Sequence, residues 1–179
     1  HPLKTIKTLC RNKYFILITL AFAVIYTSLG LTGGSRIYYA KYVLGDEMLN
    51  STMTMFNYIP TILTIMLIPV FTKRFGKIKA LFVGFLFYAA GLVLEIAGPV
   101  NLPMIYTGLV LQGIGHAALY SCLFAIVGDV VDYSEWKDGI REEGITYSVT
   151  SFGQKIGTGL GTAALGWILA AGNYNGTAA

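Results

Sequence analysis

Two groups of side chains in this chain have the types and spacing to do chemistry, and both sit where such side chains are costly. The first is Lys155, accompanied at helical spacing by Tyr147, Ser148, Ser151, Thr158 and Thr162. These positions fall on one side of a 3.6-residue helix, so the ammonium belongs to a polar stripe. Lys155 stands eleven residues beyond Gly144, about 16 Å along a helix at ~1.5 Å per residue. In an apolar span that depth is near the middle of a hydrocarbon core about 30 Å thick. Insertion scales charge about 2.5–3.5 kcal/mol for a lysine there. Snorkelling relieves the cost near helix ends rather than at the centre. Lys155 therefore reads as a fixed positive charge in a watery cavity, able to donate hydrogen bonds to a substrate or to pair with a carboxylate.

The second group is acidic. Asp129, Asp132, Glu135, Asp138, Glu142 and Glu143 crowd a short segment whose only bases are Lys137 and Arg141. The spacing of Asp129, Asp132 and Glu135 puts them on one face if the preceding helix continues. Acids at a helix C-terminus oppose its macrodipole, so they require cationic partners. Arg141 is one partner, and the surplus is expected to pair with bases on another domain or chain, as a gate of breakable ion pairs would. The plainer alternative is a solvated charge run. A metal site from these carboxylates has no ligand spacing to support it. No G-x-S-x-G, H-E-x-x-H or P-loop pattern occurs, so hydrolase, zinc-protease and ATPase readings lack support and no catalytic residue is assigned. His116 reads as a structural histidine, and Arg36 as a residue that snorkels or pairs with a nearby acid.

The elements that must position these groups are membrane spans. The chain has 179 residues, 55% hydrophobic and only 12% charged, against about 25% charged in an average soluble domain. Five apolar stretches reach the ~20 residues needed to cross a bilayer, near Tyr14–Ala40, Ser51–Thr72, Ile78–Ala97, Pro103–Val127 and Gly144–Ala171. The expected fold class is an all-α polytopic membrane protein. Lys4, Lys7, Arg11 and Lys13, then Lys73, Arg74, Lys77 and Lys79, then Lys137 and Arg141 all fall on one side if the spans alternate. The positive-inside rule puts that side, and the N-terminus, in the cytoplasm. It also explains the net charge of +4 without nucleic acid as a partner. Cys10 and Cys122 have no zinc or redox spacing and are expected to be unpaired. No cleavable signal peptide is visible. A start at His1 and an end just past an apolar helix read as a fragment.

The spans differ in what they carry. Asn50, Thr54, Asn57, Thr61 and Thr64 form a polar stripe on the second, and Gln112, His116 and Tyr120 share a face of the fourth. The third has no such stripe and is expected to face lipid, while the other four line something wet. On the fifth, Val149, Phe152, Ile156, Leu160, Ala163 and Trp167 suit lipid or an apolar neighbour. Gly153, Gly157 and Gly161 there make a double G-x-x-x-G, which lets another helix approach closely.

The run Gly128-Asp129-Val130-Val131-Asp132-Tyr133-Ser134-Glu135-Trp136-Lys137, followed by Gly139-Ile140-Arg141, Glu143-Gly144, Tyr147-Ser148 and Gln154-Lys155, resembles the glycoside–pentoside–hexuronide:cation symporters of the major facilitator superfamily. Ile37 to Asp46 is similar to that family's end of transmembrane helix seven, and Arg74-Phe75-Gly76-Lys77 to the basic turn after helix eight. The likeness covers essentially the whole chain. It implies that residues 1–179 are helices seven to eleven of a twelve-helix transporter, a partial C-terminal six-helix bundle without its last helix and without the N-terminal bundle.

The resemblance also implies roles. Lys155 matches a helix-eleven lysine at the central cavity, implicated in coupling and substrate contact. Thr150 and Ser151 occupy positions of sugar-contacting polar residues. Tyr120 falls where a member of the family places a tryptophan beside the sugar. Asp129, Asp132, Glu135, Arg141 and Glu143 match the charged cytoplasmic network that closes the inner gate. The implied activity is symport of a glycoside, pentoside or hexuronide with Na⁺ or H⁺ across a bacterial cytoplasmic membrane, with no cofactor and no enzymatic step. The family's cation-binding carboxylates lie on N-terminal helices absent from this chain. Its implied partners are the sugar, the coupling cation, membrane lipid and the missing N-terminal half. The rival readings are a related facilitator for a cargo such as a lysolipid, a non-transporting receptor or scaffold, and a membrane enzyme using His116 and the acids.

Overall fold

The computed structural model describes residues 12–139, 141 and 143–174. Lys4, Lys7, Arg11, Cys10 and Glu142, which enter the charge and cysteine arguments above, lie outside the described residues. Among the described residues five helices follow one another: α1 Lys13–Tyr42, α2 Leu49–Phe75, α3 Lys77–Ala97, α4 Leu102–Asp138 and α5 Glu143–Ala171. No strand occurs among the described residues. α1 to α4 each carry a stretch long and apolar enough to cross a membrane. α5 has the length, at 29 residues, but its serines, threonines, Gln154 and Lys155 dilute its apolarity.

The largest departure from expectation is α4, which runs eleven residues past the predicted end at Val127 to Asp138. At 37 residues it is about 55 Å long, well beyond a hydrocarbon core of about 30 Å. The extension is amphipathic. Val127, Val130, Val131 and Ser134 are buried at helical spacing, while Asp129, Asp132 and Glu135 are exposed. A span-length count stops where the charges begin; the i, i+3, i+4, i+7 burial carries the helix on. Gly139 ends it with φ 66, a left-handed conformation that glycine adopts without a Cβ penalty, and its N–H donates to the Glu135 carbonyl.

The chain divides into two compact units. The first comprises α1 up to Ile37, the α4 extension from Val127, and α5. Here the glycine face of α5 lies on the backbone of α1. A Cβ at Gly157 would stand 3.1 Å from both the Ala23 carbonyl carbon and the Thr27 nitrogen, and one at Gly161 2.8 Å from the Leu31 nitrogen. α1 answers with Gly30, where a Cβ would meet the Thr158 carbonyl oxygen at 2.6 Å. The opposite face of α5, with Phe152, Ile156, Leu160 and Trp167, is exposed, as suits lipid. α1 begins at Asn12, whose Oδ1 accepts the Tyr14 N–H at 3.0 Å, an N-cap. Buried Asn12 also donates from Nδ2 to Ser134 Oγ at 2.9 Å. Ser134 in turn donates to the Val130 carbonyl, and Tyr14 meets Tyr133 edge-on at 4.9 Å. The start of α1 is thereby tied to the α4 extension.

The second unit spans residues 38–126. Its α2–α4 contact corrects the expectation of a wet stripe. Asn57 and Thr61 are 3% and 4% exposed; Asn57 Nδ2 donates to the Leu109 carbonyl at 3.1 Å and Thr61 Oγ1 to the Gly113 carbonyl at 3.0 Å. Gly113 allows the approach, with Pro60 and Thr61 atoms only 3.2 Å from where its Cβ would be. The centre of the stripe therefore joins two helices rather than lining water, the use that membrane helices commonly make of Asn and Thr. α3 likewise has two faces. Phe82, Phe85, Leu86, Val93 and Ile96 are exposed, as lipid contact requires. Ala80, Gly84, Tyr88 and Gly91 are buried, and Gly84, Tyr88 and Gly91 pack on Ala118, Gly115, Gln112 and Gly108 of α4.

Candidate functional site

α5 positions the polar face that carries Lys155. Because α1 occupies the face formed by Gly153, Gly157 and Gly161, on the side where Thr146 and Thr150 are also buried, the Lys155 side is left uncovered within this unit. Tyr147, Ser148, Ser151, Phe152 and Lys155 line an open depression of about 420 Å³. All five residues lie within about two and a half turns of one helix, so its rigidity sets their spacing. Lys155 is exposed and makes no ion pair among the described residues. Glu143, at the start of α5, is twelve residues away, about 18 Å. The depression thus offers three ammonium N–H donors, hydroxyls of both donor and acceptor character, and two aromatic rings. That set suits a polyhydroxylated or anionic small molecule.

The sequence-predicted residues divide three ways. Ser151 and Lys155 are brought together in the depression. Thr150 is not: it is fully buried, and its hydroxyl donates to the Thr146 and Tyr147 carbonyls at 3.0 Å each. It sits about 100° around the helix from Ser151, on the face packed against α1. Tyr120 belongs to the second unit, where its ring stacks on His116 at 5.6 Å. Gln112 and His116, expected beside it on a wet face, are 1% and 6% exposed and face α3.

The acidic group is organised by Arg141. Its guanidinium donates from Nε to Glu143 Oε1 at 2.9 Å and from Nη2 to the same oxygen. From Nη1 it reaches Glu135, and Asp132 at 3.4 Å. One cation therefore staples the last turns of α4 to the first turn of α5. Glu143 suits its place, because an acid in the first turn complements the macrodipole. Asp132 and Glu135, near a C-terminus, do not, and Arg141 offsets them. The hydrogen bonds it donates to Glu135 and then Glu143, with the charges of both, push the guanidinium pKa above its ordinary value, so it stays charged. All four side chains are about half exposed or more, which leaves each pair weak and salt-sensitive. Asp129 lies exposed one turn before Asp132. Within the described residues no group of three His, Cys, Asp or Glu side chains is arranged to hold a metal ion.

The sequence reading missed Asn12 and Ser134, which tie α1 to the α4 extension, and Tyr88. The signal for Tyr88 was the spacing Gly84, Tyr88, Gly91, a small–large–small face on a helix read as featureless. Phe152, on the face expected to suit lipid or an apolar neighbour, also forms one wall of the depression.

Long apolar helices packed through glycines, with a lysine on a polar helix face and a charged staple where the longest helix ends, make this a polytopic helical membrane protein. The chain matches the family described as MFS/sugar transport protein over residues 2–179, and it belongs to that family. It is 31% identical over 176 residues to an isoprimeverose transporter of Lactiplantibacillus pentosus, covering 97% of this chain and 36% of the relative. It is 28% identical to a glucuronide carrier protein homolog of Escherichia coli K12, covering 95% of this chain and 38% of the relative. A putative sulfoquinovose importer of Salmonella typhimurium is 32% identical, over 89% of this chain and 34% of the relative. The chain therefore spans little more than a third of the length of these relatives. No solved structure matches it.

Proposed function

We propose that this chain is the C-terminal part of a secondary transporter that carries a sugar or glycoside into the cell together with Na⁺ or H⁺. The observation that carries the reading is Lys155, without an ionic partner on α5 and set among Tyr147, Ser148 and Ser151 in an open depression. A charge at that depth calls for a polar or anionic counterpart. The names of the relatives offer isoprimeverose, glucuronide and sulfoquinovose, all rich in hydroxyls and two of them acidic. Lys155 and Ser151 would hydrogen-bond the cargo, and the Tyr147 and Phe152 rings would cover its apolar edges. Thr150 is left out of this set because its hydroxyl is already engaged.

In this reading the chain is embedded in the cytoplasmic membrane with the start of α1 and the Arg141 staple on the cytoplasmic side, following the distribution of bases. The staple would be one element of the inner gate. Alternating access would come from rocking of this bundle against a partner bundle about a midplane site. The coupling cation would be held mainly by residues outside this chain, and its binding would raise sugar affinity by the same factor that sugar raises its own. The scaffold reading is less favoured because it gives Lys155 and its polar depression no role.

The test is uptake of radiolabelled glycosides and uronides by vesicles containing the intact protein, under an imposed Na⁺ or proton gradient. Lys155→Ala should abolish accumulation while leaving the protein in the membrane. Undiminished gradient-driven uptake by that variant removes Lys155 from the mechanism.

A further inference from the structure

The α3–α4 boundary holds a polar cluster that the transport reading does not use. Tyr88 on α3 and Gln112 on α4 are 8% and 1% exposed. The Tyr88 Oη and Gln112 Nε2 atoms are enclosed and have no hydrogen-bond partner among the described residues. Glycines bring the two helices close together beside both residues. A Cβ at Gly91, one turn past Tyr88, would fall 2.7 Å from Gln112 Cγ, and one at Gly115 would fall 2.8 Å from Tyr88 Cβ. His116, one turn beyond Gln112, places its ring 5.0 Å from that of Tyr88. Gln112 is ten residues into α4, about 15 Å along it, so the cluster lies at mid-membrane depth where lipid offers no hydrogen bond.

We propose that this boundary binds a water molecule, held between Tyr88 Oη and Gln112 Nε2 beside the His116 ring. The chemistry selects the ligand. Gln112 Nε2 can only donate, so the occupant must accept a hydrogen bond. Tyr88 Oη can donate or accept, so the same occupant completes both residues if it does both. Water is the smallest molecule with that capacity, and buried waters recur where polar groups would otherwise be unsatisfied. A metal cation is excluded by the inward amide N–H₂ and by the lack of a carboxylate among these groups. Cargo is excluded by the enclosure. The water cross-links α3 and α4 at their centre and steadies the row Tyr88–His116–Tyr120, whose rings are 5.0 and 5.6 Å apart. The proposal rests on the packing of one unit and holds whatever the cargo.

The test is a double-mutant cycle in the intact protein with the near-isosteric variants Tyr88→Phe and Gln112→Met, read by thermal unfolding in detergent. A shared water predicts that each single variant lowers the midpoint by about 2–4 °C and that the double variant falls by less than the sum. A rise in either single variant, as expected when an unsatisfied polar group is simply removed, overturns the proposal, and so do additive losses. Infrared difference spectra give an independent readout. A water O–H stretch that shifts in H₂¹⁸O and vanishes in Tyr88→Phe is expected, and its absence from the unmodified protein refutes the site.

Discussion

Two alanine substitutions in α5, two residues apart, should change stability in opposite directions. Gly→Ala in a helix interior gains about 1 kcal/mol in propensity, so any loss must come from packing. At Gly159 nothing lies within 4 Å of where the Cβ would be, and Gly159→Ala should stabilise by up to about 1 kcal/mol. At Gly157 the new Cβ would meet the Ala23 carbonyl carbon and the Thr27 nitrogen at 3.1 Å, with the Ala23 oxygen nearer still. These are backbone atoms and cannot rotate away, so α1 and α5 must separate. Overpacking costs about 1–3 kcal/mol. Separation also loosens the contacts at Gly153 and Gly161, which argues for the upper end. Subtracting the propensity gain from ~3 kcal/mol leaves a net loss of about 2 kcal/mol for Gly157→Ala, roughly a thirtyfold change in the folded ratio. The assay is denaturant or thermal unfolding of the intact protein in one detergent, with both variants measured beside the parent. Equal midpoints for the two variants would refute the close approach of α1 and α5.

Other perturbations test the remaining contacts. Asn57→Leu and Thr61→Val should each destabilise by about 0.6 kcal/mol, and by at most ~1.7, because each removes a hydrogen bond to an α4 carbonyl; midpoints at or above the parent's would return the stripe on α2 to a water-lining role. Arg141→Lys should loosen the α4–α5 corner, seen as faster proteolysis between residues 138 and 143, since one ammonium lacks the fork that reaches three carboxylates. The same loosening should follow in 1 M salt, where the Debye length falls to about 3 Å. Raising the pH from 7 to 9 should not loosen the corner. The guanidinium's raised pKa means its contribution is complete below the unfolded value and is lost only as pH rises through the folded one, both far above that range. Proteolysis that accelerates at pH 9 but ignores salt would contradict the staple.

The sequence by itself determined the elements and the faces of α5. Apolar runs of membrane length located the five helices, because a bilayer leaves a chain few alternatives to helix. The spacing of Gly153, Gly157 and Gly161 marked a surface for close helix approach, and that of Tyr147, Ser148, Ser151 and Lys155 marked a polar one, because helical periodicity is local and readable. Partners are not local. The stripe of Asn57 and Thr61 looked the same in sequence whether it met water or the carbonyls of Leu109 and Gly113, and only packing assigned it to α4. Thr150 and Ser151 are adjacent and chemically alike, yet the fold buries one and leaves the other beside Lys155. Arg141 was legible in sequence as one partner for the acids, but only the fold shows that it reaches Asp132, Glu135 and Glu143 together, between two helix ends. Periodicity says which side chains share a face; tertiary structure decides what that face touches, because burial depends on which distant backbone can come near enough.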